Sequence, residues 1–584
     1  MMASPLFAIL GLDIGKINTR ASLFTMQDGR YKFHAGAISP TNYGKDGWIG
    51  RGVVHAVRDL QQKTNRILLK PSGSPYMADQ DIRLSVDRIA LASSACESVN
   101  TVLLGLTEKG SLTAGRQLAG SLPLTLTGAF GLADLRDENG MASRLIQLRP
   151  ELLILTGGED GGTEQPLARW MEVVRLVCKI LPAEAKPSVV FAANPKMEES
   201  MRRRVEPLTR LVIAPNPQPG FGQPDFAPLQ RALDREVTRI WQQNQPDLHD
   251  LSIMADGLVG TKSFTMDRMV RYLSQAEPEG AGSASKSGLL AIDLGGGSIV
   301  VSAGLNGQHR TVMLPTREEL SEAFLNQDCP EIHRWTSEPV SRQEADQFLC
   351  NALLQPGRVP ETLRELALTQ AKARIDLRRA LRECSHHTPW FGYDPEKGLT
   401  GHFEPIVASG AVLTQTSNPA QALLILLDSL QPWGIATFVL DQHHILPMLG
   451  LIGAIEPILP VQVLNSEAFL NLGCVINVVS AAPEGESVIT VGVKPETGKS
   501  YTVNVLKGTL RRLVIPPGQT VVLDLDPKPK TDVGFGGKGQ GGRIRVVSGV
   551  LGVVIDARGR PLKLAEDDDA RIDQLNRWMW SVGN

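Results

Sequence analysis

The stretch LAIDLGGGSIVVSAG (290–304) decides how this chain is interpreted. A hydrophobic strand ends in Asp293, three glycines and a serine follow, and a second strand begins at once. A hairpin needs one or two glycines, so three beside an acid indicate that something approaches the backbone closely, where a Cβ would block it. Successive N–H groups in such a turn form a nest for phosphate oxygens.

The same pattern occurs near the start of the chain, in ILGLDIGKINTRASLF (9–24), where Asp13 precedes Gly15. Each copy is followed by another glycine-bearing strand end, LLILTGGEDGG (152–162) and EPIVASGAVLT (404–414). Two halves with this shared order predict two lobes that face one cleft. Because Asp13 and Asp293 would repel phosphate, we expect a Mg²⁺ ion, bound mostly through water, between the two carboxylates and the phosphates, which makes both aspartates the candidate catalytic and metal-binding residues.

Composition excludes several classes of protein. The 584 residues carry a net charge of −2, which gives no overall field that favours nucleic acid or an anionic membrane. The six cysteines include no CxxC pair, so we expect a reducing, cytoplasmic location rather than a disulfide framework. Prolines and Glu456 interrupt the longest apolar run (445–460), so no membrane span is expected.

Strand-like and helix-like segments alternate through most of the chain, which predicts an α/β architecture. We expect a first lobe at 1–275, a flexible connector, and a second lobe at 288–484. Beyond about residue 485, short strands follow one another without a helical pattern. This predicts that residues 485–584 form a C-terminal β-sandwich or barrel that ends in a helix.

The motifs also carry a resemblance. The two hairpins resemble the phosphate motifs of the actin, sugar kinase and heat-shock chaperone ATPase superfamily, and EPIVASGAVLT resembles its adenosine motif. ADGLVGTKSFTMDRMVRYL (255–273) lies where the helix that connects the lobes should fall. The resemblance implies duplicated ribonuclease-H-like lobes, each with a five-stranded mixed sheet, that bind ATP or ADP with Mg²⁺. The residues expected to contact nucleotide are Gly15, Lys16, Asn18, Thr19, Gly295, Gly296, Gly297, Ser298, Ser409 and Gly410.

Three middle segments are more specific. Residues 93–121, 149–174 and 187–199 resemble the glutamate mutase accessory ATPases called MutL or GlmL, which are unrelated to the mismatch-repair protein of the same name. The resemblance extends over about 1–460. It implies an ATP-dependent, chaperone-like partner that reactivates an adenosylcobalamin-dependent mutase by exchanging damaged cofactor.

Two departures from the superfamily pattern concern hydrolysis. Val300 stands where a second acid usually follows the glycines and helps to hold the water shell of the metal. Lys16 stands where a small hydroxyl residue is usual, and it either reaches the phosphates as a point charge or lies on the surface. We therefore expect nucleotide binding with slow or impaired hydrolysis, at most a slow Mg²⁺-dependent ATPase.

Other interpretations stay open. The chain fits an actin-like filament subunit or a pseudo-ATPase scaffold, so its partner is either another protein, such as a cobalamin-dependent mutase, or a second copy of itself. A small-molecule kinase ranks last, because no acid is identifiable as a base for a substrate hydroxyl.

For the histidine pair His443–His444 a surface or capping role is favoured over zinc. Glu159 and Asp160 either cap a tight turn or line the cleft or a partner surface.

Overall fold

The computed structural model describes residues 8–42, 48–70, 86–135, 137–220, 224–275, 288–315, 331–355 and 357–583. The elements of the first half are β1 (Ala8–Ile14), β2 (Asn18–Gln27), β3 (Arg30–Pro40), α1 (Trp48–Thr64), β4 (Arg88–Ser93), β5 (Val99–Leu104), α2 (Thr113–Ala119), β6 (Leu124–Phe130), α3 (Glu138–Leu148), β7 (Leu152–Gly157), α4 (Gln165–Ile180), β8 (Ser188–Ala193), α5 (Glu198–Arg204), β9 (Leu211–Ile213), α6 (Ala227–Asn244), α7 (Pro246–Met254), β10 (Val259–Thr261) and α8 (Lys262–Gln275).

The elements of the second half are β11 (Gly288–Leu294), β12 (Ser298–Leu305), β13 (Gln308–Pro315), α9 (Arg342–Leu354), α10 (Leu363–Ser385), β14 (Tyr393–Asp394), β15 (Gly398–Leu399), β16 (Phe403–Ser409), α11 (Ala411–Thr414), α12 (Pro419–Leu430), β17 (Gly434–Leu440), α13 (Leu446–Ile452), α14 (Ile458–Leu464) and β18 (Leu470–Asn477). The remaining elements are β19 (Val479–Ser480), β20 (Ser487–Pro495), β21 (Tyr501–Leu506), β22 (Leu510–Leu513), β23 (Thr520–Pro527), β24 (Thr531–Asp532), β25 (Gly542–Val547), β26 (Val553–Asp556) and α15 (Asp568–Gly583).

The same strand order appears in both halves. The first sheet runs β3-β2-β1-β4-β10, with β1, β2 and β3 antiparallel and β4 and β10 parallel to β1. The second sheet has eight strands rather than the expected five, and its first five run β13-β12-β11-β16-β17 with the same directions. Strands β1 and β11 are fully buried hydrophobic runs, as central strands require. The predicted pair of ribonuclease-H-like lobes, and with it the actin-like fold class, is confirmed.

The first half contains a sheet that the sequence analysis did not separate from the lobe. The segment of chain that connects β4 to β10 forms a separate, all-parallel sheet in the order β6-β5-β7-β8-β9, with its own apolar core. Its near-continuous hydrophobic strands alternate with helices, which is typical of parallel sheets. The same alternation of hydrophobic strands and helices continues through the rest of the lobe, so no change in the sequence pattern marks where the inserted sheet begins or ends.

The C-terminal region is rich in β-strands, as predicted. Strands β20, β21, β23 and β25 form a four-stranded antiparallel sheet. Two other strands extend the sheet of the second lobe instead, because β18 pairs with β26 and β26 pairs with β22. The terminal helix α15 packs on α12 of that lobe. The boundaries drawn at 275, 288 and 485 stay predictions, and the expected connector at 276–287 lies outside the described residues.

Two helices cross between the lobes. Helix α8 follows the first sheet and packs on β11, β12 and β13, whereas α13 packs on β1 and β4. A Cβ on Gly450 would lie 2.0 Å from the carbonyl oxygen of Thr265, so the helices touch through their backbones. An apolar layer surrounds the crossing and includes residues from both lobes, such as Phe24 and Val300. This crossing brings the ends of β1 and β11 together. No described helix is long and apolar enough to cross a membrane.

Candidate functional site

A cleft of about 710 Å³ lies where the two glycine-containing hairpins meet. Its walls come from the turns that follow β1 and β11, the segment after β16, and helices α9 and α10. Helix α10 begins at Thr362, whose hydroxyl accepts a hydrogen bond from the Glu365 N–H at 3.1 Å, and presents Thr369 and Lys372 to the cleft. The volume falls in the range of about 300–1,000 Å³ that is usual for sites of small molecules and cofactors.

The two hairpins close with the same hydrogen bond. Gly15 N–H donates to the Asn18 carbonyl oxygen at 3.0 Å, and Gly295 N–H donates to the Ser298 carbonyl oxygen at 3.1 Å. This equivalence supports the internal duplication inferred from sequence. It also means that these two N–H groups are engaged within their own turns, so the predicted role of Gly15 and Gly295 as phosphate donors is a misassignment for their amides.

The two turns also contact each other directly. A Cβ built on Gly296 would lie 2.7 Å from Ile17 Cγ1, and one on Gly297 would lie 3.0 Å from Lys16 Cβ. Both distances are shorter than ordinary carbon–carbon contact. Neither glycine has a positive φ, so the absence of a side chain matters here for close approach and not for backbone conformation. The group that comes closest to this backbone is the hairpin of the other lobe.

A compact charged cluster lies beside the hairpins. Lys262, the first residue of α8, places Nζ 2.8 Å from Asp293 Oδ2 and 3.3 Å from Asp13 Oδ2. Ser409 Oγ donates to Asp293 Oδ1 at 2.6 Å, and an Arg20 guanidinium nitrogen lies 3.6 Å from Asp13 Oδ2. The two carboxylates, one from each lobe, therefore share one ammonium.

The ionisation of this cluster follows from its burial and its charges. Burial alone would raise the pKa of Asp293, but Lys262 and hydrogen bonds lower the pKa to about 2. Burial alone would lower the pKa of Lys262, but Asp13 and Asp293 raise the pKa above its usual value. Burial lowers the pKa of His444 well below its usual range, so this ring is neutral near pH 7. The cluster thus holds the Asp293 carboxylate and the Lys262 ammonium as ions.

The turn after β16 has a conformation that only glycine adopts easily. Gly410 has φ +117°, and a Cβ at this position would lie 2.3 Å from the Leu294 carbonyl oxygen. The turn therefore lies directly on the end of β11 and forms part of the cleft wall. Ser409 is buried behind it with its hydroxyl on Asp293.

The structure brings most of the predicted residues together. Those that line the cleft are Gly15, Lys16, Asn18, Asp293, Gly295, Gly296, Gly297, Ser298 and Gly410. Asp13, Thr19 and Ser409 do not line it. Thr19 is completely buried and its hydroxyl lies 2.9 Å from that of Thr41. Lys16 Nζ lies 3.4 Å from a Glu97 carboxylate oxygen, while the lysine stem packs on Gly297.

Sequence reasoning missed Lys262, Arg20 and His444, all of which line the cleft. One signal pointed to Lys262: it lies at the carboxyl end of a strand parallel to β1, the edge where α/β sheets bind ligands. The turn at 156–162, by contrast, is not part of the cleft. There Asp160 Oδ1 accepts a hydrogen bond from Asn216 Nδ2 at 2.8 Å.

The residues present do not fit the predicted magnesium ion. Mg²⁺ requires near-octahedral oxygen ligands at about 2.0–2.1 Å and keeps several waters. The Lys262 ammonium lies between Asp13 and Asp293, where that shell would form. Among the residues described, no group of three or more His, Cys, Asp or Glu side chains is arranged to hold a metal ion. Val300 pairs with Asp293 across the hairpin and is fully buried in apolar surroundings.

Strand order and cleft together define a two-lobed protein of the actin-like ATPase fold. The family model described as "MutL protein" matches residues 9–468, and the chain belongs to that family, as predicted. A search of curated proteins finds no match.

Solved structures similar to this chain include two enzymes and a reactivating factor. Gluconate kinase from Lactobacillus acidophilus is 10% identical, with 80% of this chain and 93% of that chain covered and a TM-score of 0.30. The Aquifex aeolicus PPX-GPPA enzyme is 10% identical, covers 70% of each chain and has a TM-score of 0.21. A diol dehydratase-reactivating factor in nucleotide-free form is 11% identical, with 56% and 76% covered and a TM-score of 0.17. The fold assignment rests on the strand order of the two sheets and not on these TM-scores.

Proposed function

We propose that this chain is a nucleotide-binding accessory protein that acts as a chaperone-like partner of an adenosylcobalamin-dependent mutase, with glutamate mutase as the first candidate. The observation that carries the nucleotide part is the cleft between two equivalent hairpins, bordered by Lys16, Arg20 and Lys262. Ammonium and guanidinium groups attract an anionic phosphate chain, and each of these three also lies within 4 Å of a carboxylate. The base and ribose would lie between the Gly410 turn and α10.

The mutase part of the proposal rests on family membership. Binding of ATP would favour one arrangement of the lobes and its loss the other, and the partner would sense the difference. Hydrolysis is proposed to be slow, because the side chain beside Asp293 is the buried Val300 and not an acid. The catalytic roles predicted for Asp13 and Asp293 accordingly become positioning roles in this proposal.

The test uses purified glutamate mutase that has been inactivated during turnover. We expect mutase activity to return after addition of free adenosylcobalamin only when this chain and ATP are both present. The Asn18→Asp variant should restore no activity, because Asn18 lines the cleft and a carboxylate there repels phosphate. Recovery that is equal without ATP, or without the chain, would contradict the proposal. Filaments that sediment only with nucleotide, together with no effect on the mutase, would favour the scaffold instead.

A further inference from the structure

The cation between the two aspartates belongs to the protein itself. Lys262 is 5% exposed and its side chain spans from the start of α8 to both carboxylates. It is also the residue that links the lobes electrostatically, because Asp13 lies on β1 and Asp293 on β11. A buried ammonium is costly unless it is paired, and this one is paired twice.

The residues around Lys262 already bring their own cations. Asp13 and Asp293 contribute two negative charges, and Lys262 and Arg20 contribute two positive charges within 4 Å of them. The neighbouring Asp441 accepts hydrogen bonds from the backbone N–H groups of Ile445 and Leu446 at the start of α13, and burial raises the pKa of its carboxyl to about 6, so it adds a third negative charge near pH 7. A divalent cation added to this buried cluster would therefore leave an uncompensated positive charge of about one unit, which is unfavourable.

We infer that the Lys262 ammonium takes the place of the divalent cation between the lobes, so that this chain binds nucleotide phosphates without Mg²⁺. The nucleotide part of this inference rests on the proposed function, but the exclusion of metal does not. Lys262 lines the same cleft as Gly295 and Gly296, so its ammonium can meet a phosphate oxygen bound there. Lysine is a point-charge phosphate ligand in other nucleotide sites.

The first test measures metal alone, with Mn²⁺ as the probe and the loss of its free electron paramagnetic resonance signal as the readout. We expect no Mn²⁺ binding to the wild-type chain below about 1 mM. Replacement of Lys262 with methionine leaves two buried carboxylates without their cation and should create a Mn²⁺ site at least about tenfold tighter. The exposed Lys179, replaced with methionine in the same way, is the control and should create no site.

Two results would overturn the inference. One is a wild-type chain that binds Mn²⁺ and loses it on Asp293→Asn. The other is a folded Lys262→Met variant that gains no site, or gains one that survives a further Asp293→Asn change. If Lys262→Met does not fold, the wild-type and Asp293→Asn titrations still decide the question, since an Asp293-dependent site in the wild type contradicts the inference and its absence agrees with it.

The second test titrates ATP by calorimetry in Mg²⁺ and again in EDTA. We expect dissociation constants that agree within about twofold. An affinity at least about tenfold higher in Mg²⁺ would overturn the inference. Absence of ATP binding in both buffers would instead contradict the proposed nucleotide function, and the Mn²⁺ titrations would still decide whether Lys262 excludes the metal.

Discussion

Replacement of Gly296 with alanine should force the two hairpins apart. The new Cβ would lie 2.7 Å from Ile17 Cγ1, roughly 1 Å inside ordinary carbon–carbon contact. Extra carbon in a packed contact costs about 1–3 kcal/mol. For a folding unit of about 150–250 residues each kcal/mol lowers the thermal midpoint by roughly 2–4 °C. We therefore expect the midpoint of Gly296→Ala to fall by roughly 2–12 °C in a thermal unfolding experiment.

A double-mutant cycle with Ile17→Ala separates this contact from other effects. The truncated side chain makes room for the new Cβ, so the two changes together should cost at least about 1 kcal/mol less than the sum of the single changes. Gly220→Ala is the matched control, because no atom of the residues that the structure describes lies within 4 Å of its Cβ position and its φ is not positive. A midpoint for Gly296→Ala equal to that of Gly220→Ala, or strictly additive effects, would refute the hairpin contact.

Three further predictions concern buried groups. Asp428→Ala removes the carboxylate that lies 2.8 Å from the buried Arg374 and 2.7 Å from the buried Arg558, of which, among the residues described, only Arg558 keeps another carboxylate, Asp556 at 2.9 Å, and should cost about 3–5 kcal/mol in denaturant unfolding. The exposed Asp524→Ala, which also loses two ion pairs, should cost under about 1 kcal/mol. Burial raises the pKa of Asp234 to about 7, so the folded state binds a proton that the unfolded state has released, and stability should fall as pH rises from about 4 through about 7. Asp234→Asn should remove this contribution, so that the stability of the variant relative to the wild type rises from about pH 4 through about pH 7 in unfolding experiments, and a difference that does not change with pH would contradict the assignment. Gly410→Ala, strained at φ +117° and against Leu294, should weaken ATP binding in calorimetry by at least about tenfold.

The hairpins and the lobe fold could be predicted because their signals are local. An acid, a glycine and two flanking hydrophobic strands lie close together in each of the stretches 9–24 and 290–304, and their repetition predicts the pairing of two strands in each lobe. The family could be predicted for a similar reason, since its segments are contiguous in sequence.

Long-range packing explains what the sequence analysis missed. The glycines were interpreted as phosphate donors, whereas Gly296 and Gly297 make room for Ile17 and Lys16, nearly 280 residues away. The Lys262 side chain lies between the two aspartates only because α8 crosses under the second sheet. Similarly, β26 pairs with β18 although the two strands are far apart in sequence, and a local pattern of polar and apolar residues does not reveal such a pairing.

The central claim is that the cleft between the hairpins binds nucleotide, and calorimetric titration of ATP into three proteins tests it most directly. Asn18→Asp places a carboxylate in the cleft with almost no change of shape, and Asn139→Asp makes the same change at an exposed position outside it. We expect equal ATP affinity for the wild type and Asn139→Asp, and an affinity at least about tenfold lower for Asn18→Asp. No ATP binding by the wild type, or equal affinity in all three proteins, would contradict the claim.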